Sequence, residues 1–249
     1  MKNTLCLTAS LSLCSLPVFA SDQAQDMSDP LAVYTQAGLG LTETGFELKL
    51  GQAYDTGSDT TMAMNLLEIR GFGGEVLGWN DDASTDNAVD SLRFRNFGID
   101  MTNGRGSQID VSWDLDSKTG SASYSLIQAL PAIGPVQFYP LAGIGLTVSE
   151  DPQEGYQFPG SFALVGLYSK ITISENIWLN YNPFYFSTLG GSETYQDNAF
   201  GIDKNNILTH ELVASYQLNP RQNLRLFANW NESVDFQDGD FRVEFNHQF

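Results

Sequence analysis

The chain has 249 residues, with 12 Lys and Arg against 30 Asp and Glu, a formal charge of −18. So acidic a chain has no basic face with which to neutralise phosphates, which excludes nucleic-acid binding. Its two cysteines, Cys6 and Cys14, both lie within residues 1–20. The remainder therefore has no thiol nucleophile, zinc–thiolate site or disulfide scaffold.

Residues 1–20 read as a secretory signal peptide. Lys2 is its only charge, an apolar stretch runs from Leu5 to Leu16, and Val18-Phe19-Ala20 fits small-x-small cleavage after Ala20. The stretch is too short, and too polar at Thr8, Ser10, Ser12 and Ser15, to span a bilayer as a helix. Cys14 admits a lipoprotein alternative, although Leu13 stands where such sites take Gly or Ala. Removing Lys2 leaves 11 basic residues against 30 acidic ones, a formal charge of −19. That acidity fits solvated loops in a salty medium, or a surface or pore that concentrates cations. Residues 21–30 have the composition of a disordered leader.

Beyond residue 20 no window holds the roughly 18 consecutive apolar residues of a spanning helix. Short alternating segments, separated by Gly, Asn, Asp and Pro clusters, predict strands instead. In chain order they fall near 31–41, 46–54, 61–72, 91–102, 108–116, 121–130, 136–148, 160–172, 176–188, 205–218, 222–232 and 240–249, the first being the weakest. Short connectors at 103–106, 131–135, 174–175 and 219–221 alternate with longer acidic ones at 73–90, 149–159 and 189–204. That asymmetry distinguishes a transmembrane barrel from a soluble sandwich. The fold class expected is all-β: one antiparallel up-and-down transmembrane β-barrel over 31–249, with 10 to 12 strands. Ile109, Val111, Trp113 and Leu115 would face lipid, opposite Asp110, Ser112, Asp114 and Asp116. The segments 160–172 and 176–188 are apolar on both faces and carry no orientation signal.

The last predicted strand alternates strictly, with Phe241, Val243, Phe245 and Phe249 on one phase. Together with the export signal, this resembles the terminal strand of Gram-negative outer-membrane β-barrel proteins of the small porin-like class. The resemblance implies an outer-membrane location, contact with outer-membrane lipids and lipopolysaccharide, and insertion by the barrel-assembly machinery through that strand. It implies no oligomeric state. The function expected is a small passive channel for small hydrophilic solutes, leaning towards cations. A non-conducting structural or surface-interaction barrel is the alternative, and a lipid hydrolase a further one.

In the hairpin 91–116 the apolar phase shifts at Asn96, from Leu92 and Phe94 to Phe97, Ile99 and Met101. A bulge at Asn96 would restore one lipid face. Arg95 would then face Asp114, Arg93 would face Asp116, and Asp100 would face Asp110, all six in the lumen. Such a ladder can simply fix register. It can also form a charged constriction, with Asp100 and Asp110 sharing a cation or proton.

Catalysis would need a base beside a nucleophile. His247 shares the phase of Phe245 and Phe249, and His210 that of Leu208, Leu212 and Tyr216, whereas Glu211 points the other way. No enzyme is expected, a barrel phospholipase or lipid A deacylase being the reserve alternative. The acidic clusters Asp81, Asp82, Asp86 and Asp90, Glu150, Asp151 and Glu154, and Asp235, Asp238 and Asp240 do not match a calcium loop. No metal and no cofactor is expected.

Overall fold

The computed structural model describes residues 24–78 and 87–249. Twelve antiparallel strands close a single up-and-down barrel, each paired with its sequence neighbours and β12 pairing back to β1. They are β1 (Gln36–Leu41), β2 (Phe46–Tyr54), β3 (Thr61–Phe72), β4 (Ser91–Asp100), β5 (Arg105–Asp114), β6 (Thr119–Gln128), β7 (Val136–Asp151), β8 (Gly155–Thr172), β9 (Ile177–Gly191), β10 (Asn206–Asn219), β11 (Gln222–Asn231) and β12 (Asp240–Gln248). One short helix, α1 (Glu193–Asn198), interrupts the β9–β10 connection, capped by the Ser192 hydroxyl. The predicted signal peptide and Asp81, Asp82 and Asp86 lie outside the described residues.

Alternation explains the wall. Leu39, Leu50, Ile109, Leu126, Ile144, Val165, Leu226 and Val243 are exposed on the outside. Glu47, Lys49, Glu68, Asn180, Asn182, Arg242, Glu244 and Asn246 are buried inside. A belt of exposed large apolar side chains is unfavourable in water and suits hydrocarbon. Both histidines are on the outer face: His210 stacks on Trp230 at 5.0 Å and bonds Tyr181 Oη through Nδ1 at 2.8 Å, and His247 packs edge-on against Phe249. Glu211 pairs with Asn182 in register and is turned inward.

Connector lengths follow the expected asymmetry only in part. The end carrying both termini has tight turns, as at 101–104, 173–176 and 220–221. At the opposite, loop end, 73–90 and 192–205 are long. The predicted loop 149–159 is mostly strand, because β7 and β8 extend and turn through 152–154 alone. Between β8 and β9 the ladder is interrupted from 167–170 to 180–183. There Pro183 offers no N–H, and side chains bridge the gap: Asn180 Nδ2 donates to Ser169 O (2.8 Å), and Ser169 Oγ donates to Tyr181 O (2.6 Å).

The largest departure from expectation is at the N-terminal side. β1 begins at Gln36 rather than at 31, and residues 24–34 form a strap inside the lumen rather than a disordered leader. Leu31 and Val33 are 3% and 4% exposed, packed into a cluster with Phe97, Ile99, Ile127, Tyr139, Leu141, Phe162 and Leu164. Burial of these side chains offsets the ordering cost that a polar composition alone could not meet. Polar contacts fix the start of the strap: Gln25 and Gln248 bond reciprocally at 2.9 Å, and Lys170 Nζ donates to Asp26 at 2.9 Å.

Asp26 makes this docking pH-dependent. Burial raises its carboxyl pKa, but hydrogen bonds from Ser28 and Lys170 and the Lys170 charge outweigh that, leaving it below the ordinary 3.8. A carboxyl lowered in the folded state stabilises above its unfolded pKa and loses that contribution as pH falls through the folded one. Hydrogen exchange is therefore expected to show strap amides protected at neutral pH and losing protection on acidification below the ordinary 3.8. Asp26→Asn should remove that acid step while leaving the wall protected.

Candidate functional site: the lumen

The inward positions build a charged stripe on one side of the lumen and an apolar one on the other. On the charged side Arg93 Nε donates to Asp110 Oδ1 at 2.9 Å, with a second bond through Nη2. Arg95 Nη2 reaches Glu68 at 3.0 Å, and Arg70 Nε lies 3.4 Å from Glu47. Arg242 Nε lies 3.1 Å from Glu47, and Lys49 pairs with Glu244, which also accepts from Asn246 at 2.8 Å. Arg225 bonds Ser215 and Asn180 and, like Arg242, lies over the Phe227 ring. Fixed dipoles and paired ions of this kind hold the lumen polar without leaving lone buried charges.

On the other side Phe162, Phe184 and Phe186 line β8 and β9, and Phe200 of the β9–β10 connection joins them. Phe186 lies 6.0 Å from Phe162, 6.4 Å from Phe184 and 6.1 Å from Phe200. Two rings lie against glycines of the preceding strand: a Cβ at Gly145 would come within 2.3 Å of Phe162, and one at Gly166 within 2.4 Å of Phe184. The absence of a Cβ at these glycines leaves each ring the room it occupies against the wall.

Three spaces follow along the axis. A vestibule of about 1010 Å³ opens at the loop end, and a cavity of about 400 Å³ sits at the terminal end beside the strap. Between them a constriction of about 170 Å³ is lined by Lys49, Arg70, Arg93, Arg95, Arg225 and Arg242 against Asp29, Glu68, Glu211 and Glu244, with strap residues 27–30 and Tyr34 completing it.

The predicted ladder is rearranged. No bulge forms at Asn96, so Arg95 is opposite Asp110, Arg93 opposite Ser112, and Asp100 opposite Arg105. Arg93, Arg95 and Asp110 do meet in the lumen. Asp100 instead lies at the terminal-end turn, accepting from Thr102 and Asn103. Asp116 lies in the exposed β5–β6 turn, and Asp114 at the vestibule rim accepts from Ser117 at 2.7 Å. The expected Asp100–Asp110 carboxylate pair therefore does not exist. The partners that sequence reasoning missed, Glu68 of β3 above all, lie on β2, β3 and β12. Their signal was the wet phase of the neighbouring strands, where Glu47 and Lys49 already alternate with leucines. Phe241, Val243, Phe245 and Phe249 all lie on the outer face, and β12 pairs with β1 from Gln36↔Gln248 to Leu41↔Val243.

Among known proteins, no family model and no curated protein matches the chain. Solved structures do. The NanC porin aligns with a TM-score of 0.51 at 8% identity, over 86% of this chain and 98% of its own. The KdgM porin, solved in complex with disordered oligogalacturonate, aligns with a TM-score of 0.50 at 9% identity, over 87% and 99%. The chain has the fold of a porin-like outer-membrane β-barrel with twelve strands.

Proposed function

We propose that the protein is a passive outer-membrane channel for small hydrophilic solutes. It would be exported by a signal cleaved after Ala20 and inserted by the barrel-assembly machinery through β12, among outer-membrane lipids and lipopolysaccharide. The loop end then faces outward and the terminal end faces the periplasm. The observation that carries this function is the ion-paired polar stripe running from the vestibule through the constriction. A wall built only for stability would sooner fill that volume with apolar side chains.

The cation preference expected from overall charge divides along the axis. The vestibule sets Glu43, Asp110, Asp114, Glu211, Asp238 and Asp240 against Arg70, Arg93 and Arg95, whereas basic groups outnumber carboxylates in the constriction. The mouth would concentrate cations and the constriction would counter the preference, giving weak net selectivity. Single-channel recording in planar bilayers under a salt gradient tests both statements. Arg93→Ala frees Asp110 and is expected to shift the reversal potential towards cations. An unchanged reversal potential would remove the constriction from the selectivity mechanism.

A non-conducting barrel is the second reading, and the strap at 24–34 is what favours it, since it occupies the periplasmic half of the lumen. Full opening of the channel requires that strap to leave. The likeness to known porins speaks for the fold, and an acidic saccharide such as the oligogalacturonate of the KdgM complex is one solute to include in the recordings.

A further inference from the structure

The vestibule carries a feature that a plain aqueous pore does not need. On adjacent strands, Thr209 of β10 is opposite Phe184 of β9, and Glu211 is opposite Asn182. Glu211 and Phe184 are thus diagonal inward neighbours, a spacing of about 7–8 Å that a small molecule can bridge. Asn182 Nδ2 holds the Glu211 carboxylate at 2.8 Å, with no ion-pair partner for Glu211 among the described residues. Phe184 packs against Gly166 and makes a T-shaped contact with Tyr168 at 5.2 Å; it is half-buried in the vestibule lining, and Phe186 continues the aromatic surface. The face of an aromatic ring is its electron-rich side and attracts a cation.

We propose that this corner of the vestibule binds a small organic cation with an apolar body, such as a quaternary ammonium or protonated amine bearing a ring. The body rests on Phe184 and Phe186, and the charge lies between the ring face and Glu211. Charge complementarity selects this occupant over an organic anion: the vestibule's arginines, Arg70, Arg93 and Arg95, are each already paired with a carboxylate, whereas Glu211 is not. An inorganic cation would meet Glu211 but gain little from the rings. A neutral aromatic would gain the rings but not the carboxylate.

The inference rests on the channel reading only for the outward-opening vestibule, so binding and conduction are measured separately. Titration calorimetry on the full, detergent-refolded barrel uses benzyltrimethylammonium, tetramethylammonium, benzenesulfonate and benzyl alcohol as probes. Benzyltrimethylammonium is expected to bind about fivefold or more tighter than each of the others. Glu211→Gln, which keeps the acceptor for Asn182, should lower that affinity about fivefold and leave benzyl alcohol unchanged. Phe184→Leu should weaken benzyltrimethylammonium and benzyl alcohol alike.

Equal binding of benzenesulfonate, equal binding of tetramethylammonium, or no effect of Glu211→Gln would overturn the site. In bilayers, benzyltrimethylammonium added at the loop end should block current. Binding without any conduction would keep the site and sink the channel, whereas conduction without binding would do the reverse.

Discussion

Deleting residues 24–34, or replacing Leu31 and Val33 together by Asp, is expected to raise the single-channel conductance several-fold. Each of the two side chains is buried in the lumen, where removal from water contributes about 1.5–3 kcal/mol. Two carboxylates in their place would have to be buried unpaired among Phe97, Ile127 and Leu141, which favours expulsion of the strap. The wall itself is unchanged, so strand content and heat-modifiable gel mobility should match those of the parent. The Leu31→Asp/Val33→Asp variant is the sharper test, because the segment is still present but cannot dock. Conductance equal to that of the parent in both variants would show that the strap does not close the pore, and zero conductance in both would favour the non-conducting barrel.

Breaking the Lys49–Glu244 pair is expected to destabilise the barrel by about 3–5 kcal/mol, the usual cost of stranding one member of a buried ion pair. Both side chains are almost fully enclosed, at 8% and 1% exposure. Lys49→Met leaves Glu244 with Asn246, and with Arg242 already engaged by Glu47. Urea unfolding from lipid vesicles should show a lower midpoint for Lys49→Met, and Lys49→Met/Glu244→Met should recover most of the loss. A double variant as unstable as the single would mean that Lys49 acts through packing of its alkyl stem rather than through charge.

These expectations depend on side-chain direction, and direction was only partly legible in the sequence. Strand positions and outward phases followed from period-two alternation, as did the outward placement of His210 and the inward placement of Glu211. The shift at Asn96 did not follow. Its pattern suggested a bulge because Phe97 and Ile99 were assumed to need lipid. In the structure they keep the phase of Arg93 and Arg95 and face the lumen, where Leu31 and Val33 cover them. The partner lies some sixty residues upstream, in a stretch whose composition read as leader, and no local periodicity reports such a contact. The two-sided apolar segments β8 and β9 have a similar cause. Phe162, Leu164, Phe184 and Phe186 form the inner apolar stripe while Val165, Tyr181 and Leu189 face outward. The candidate site was legible as a set of inward charges on β4 and β5, and Arg93 and Asp110 do pair within that hairpin, but Arg95 finds its partner, Glu68, across the other neighbouring strand, β3.

The seam that closes the barrel ties these parts together. β1 has only six residues, and it pairs with β12 along its whole length. Thr35, where the strap passes into β1, accepts the N–H of Phe249 at 3.0 Å, and Gln248 holds Gln25. The same few bonds therefore fasten the wall and moor the strap. Fraying at this joint would loosen the closing seam and the strap's tethers at Gln25 and Thr35 together, so the strength of the wall and the width of the pore are coupled there.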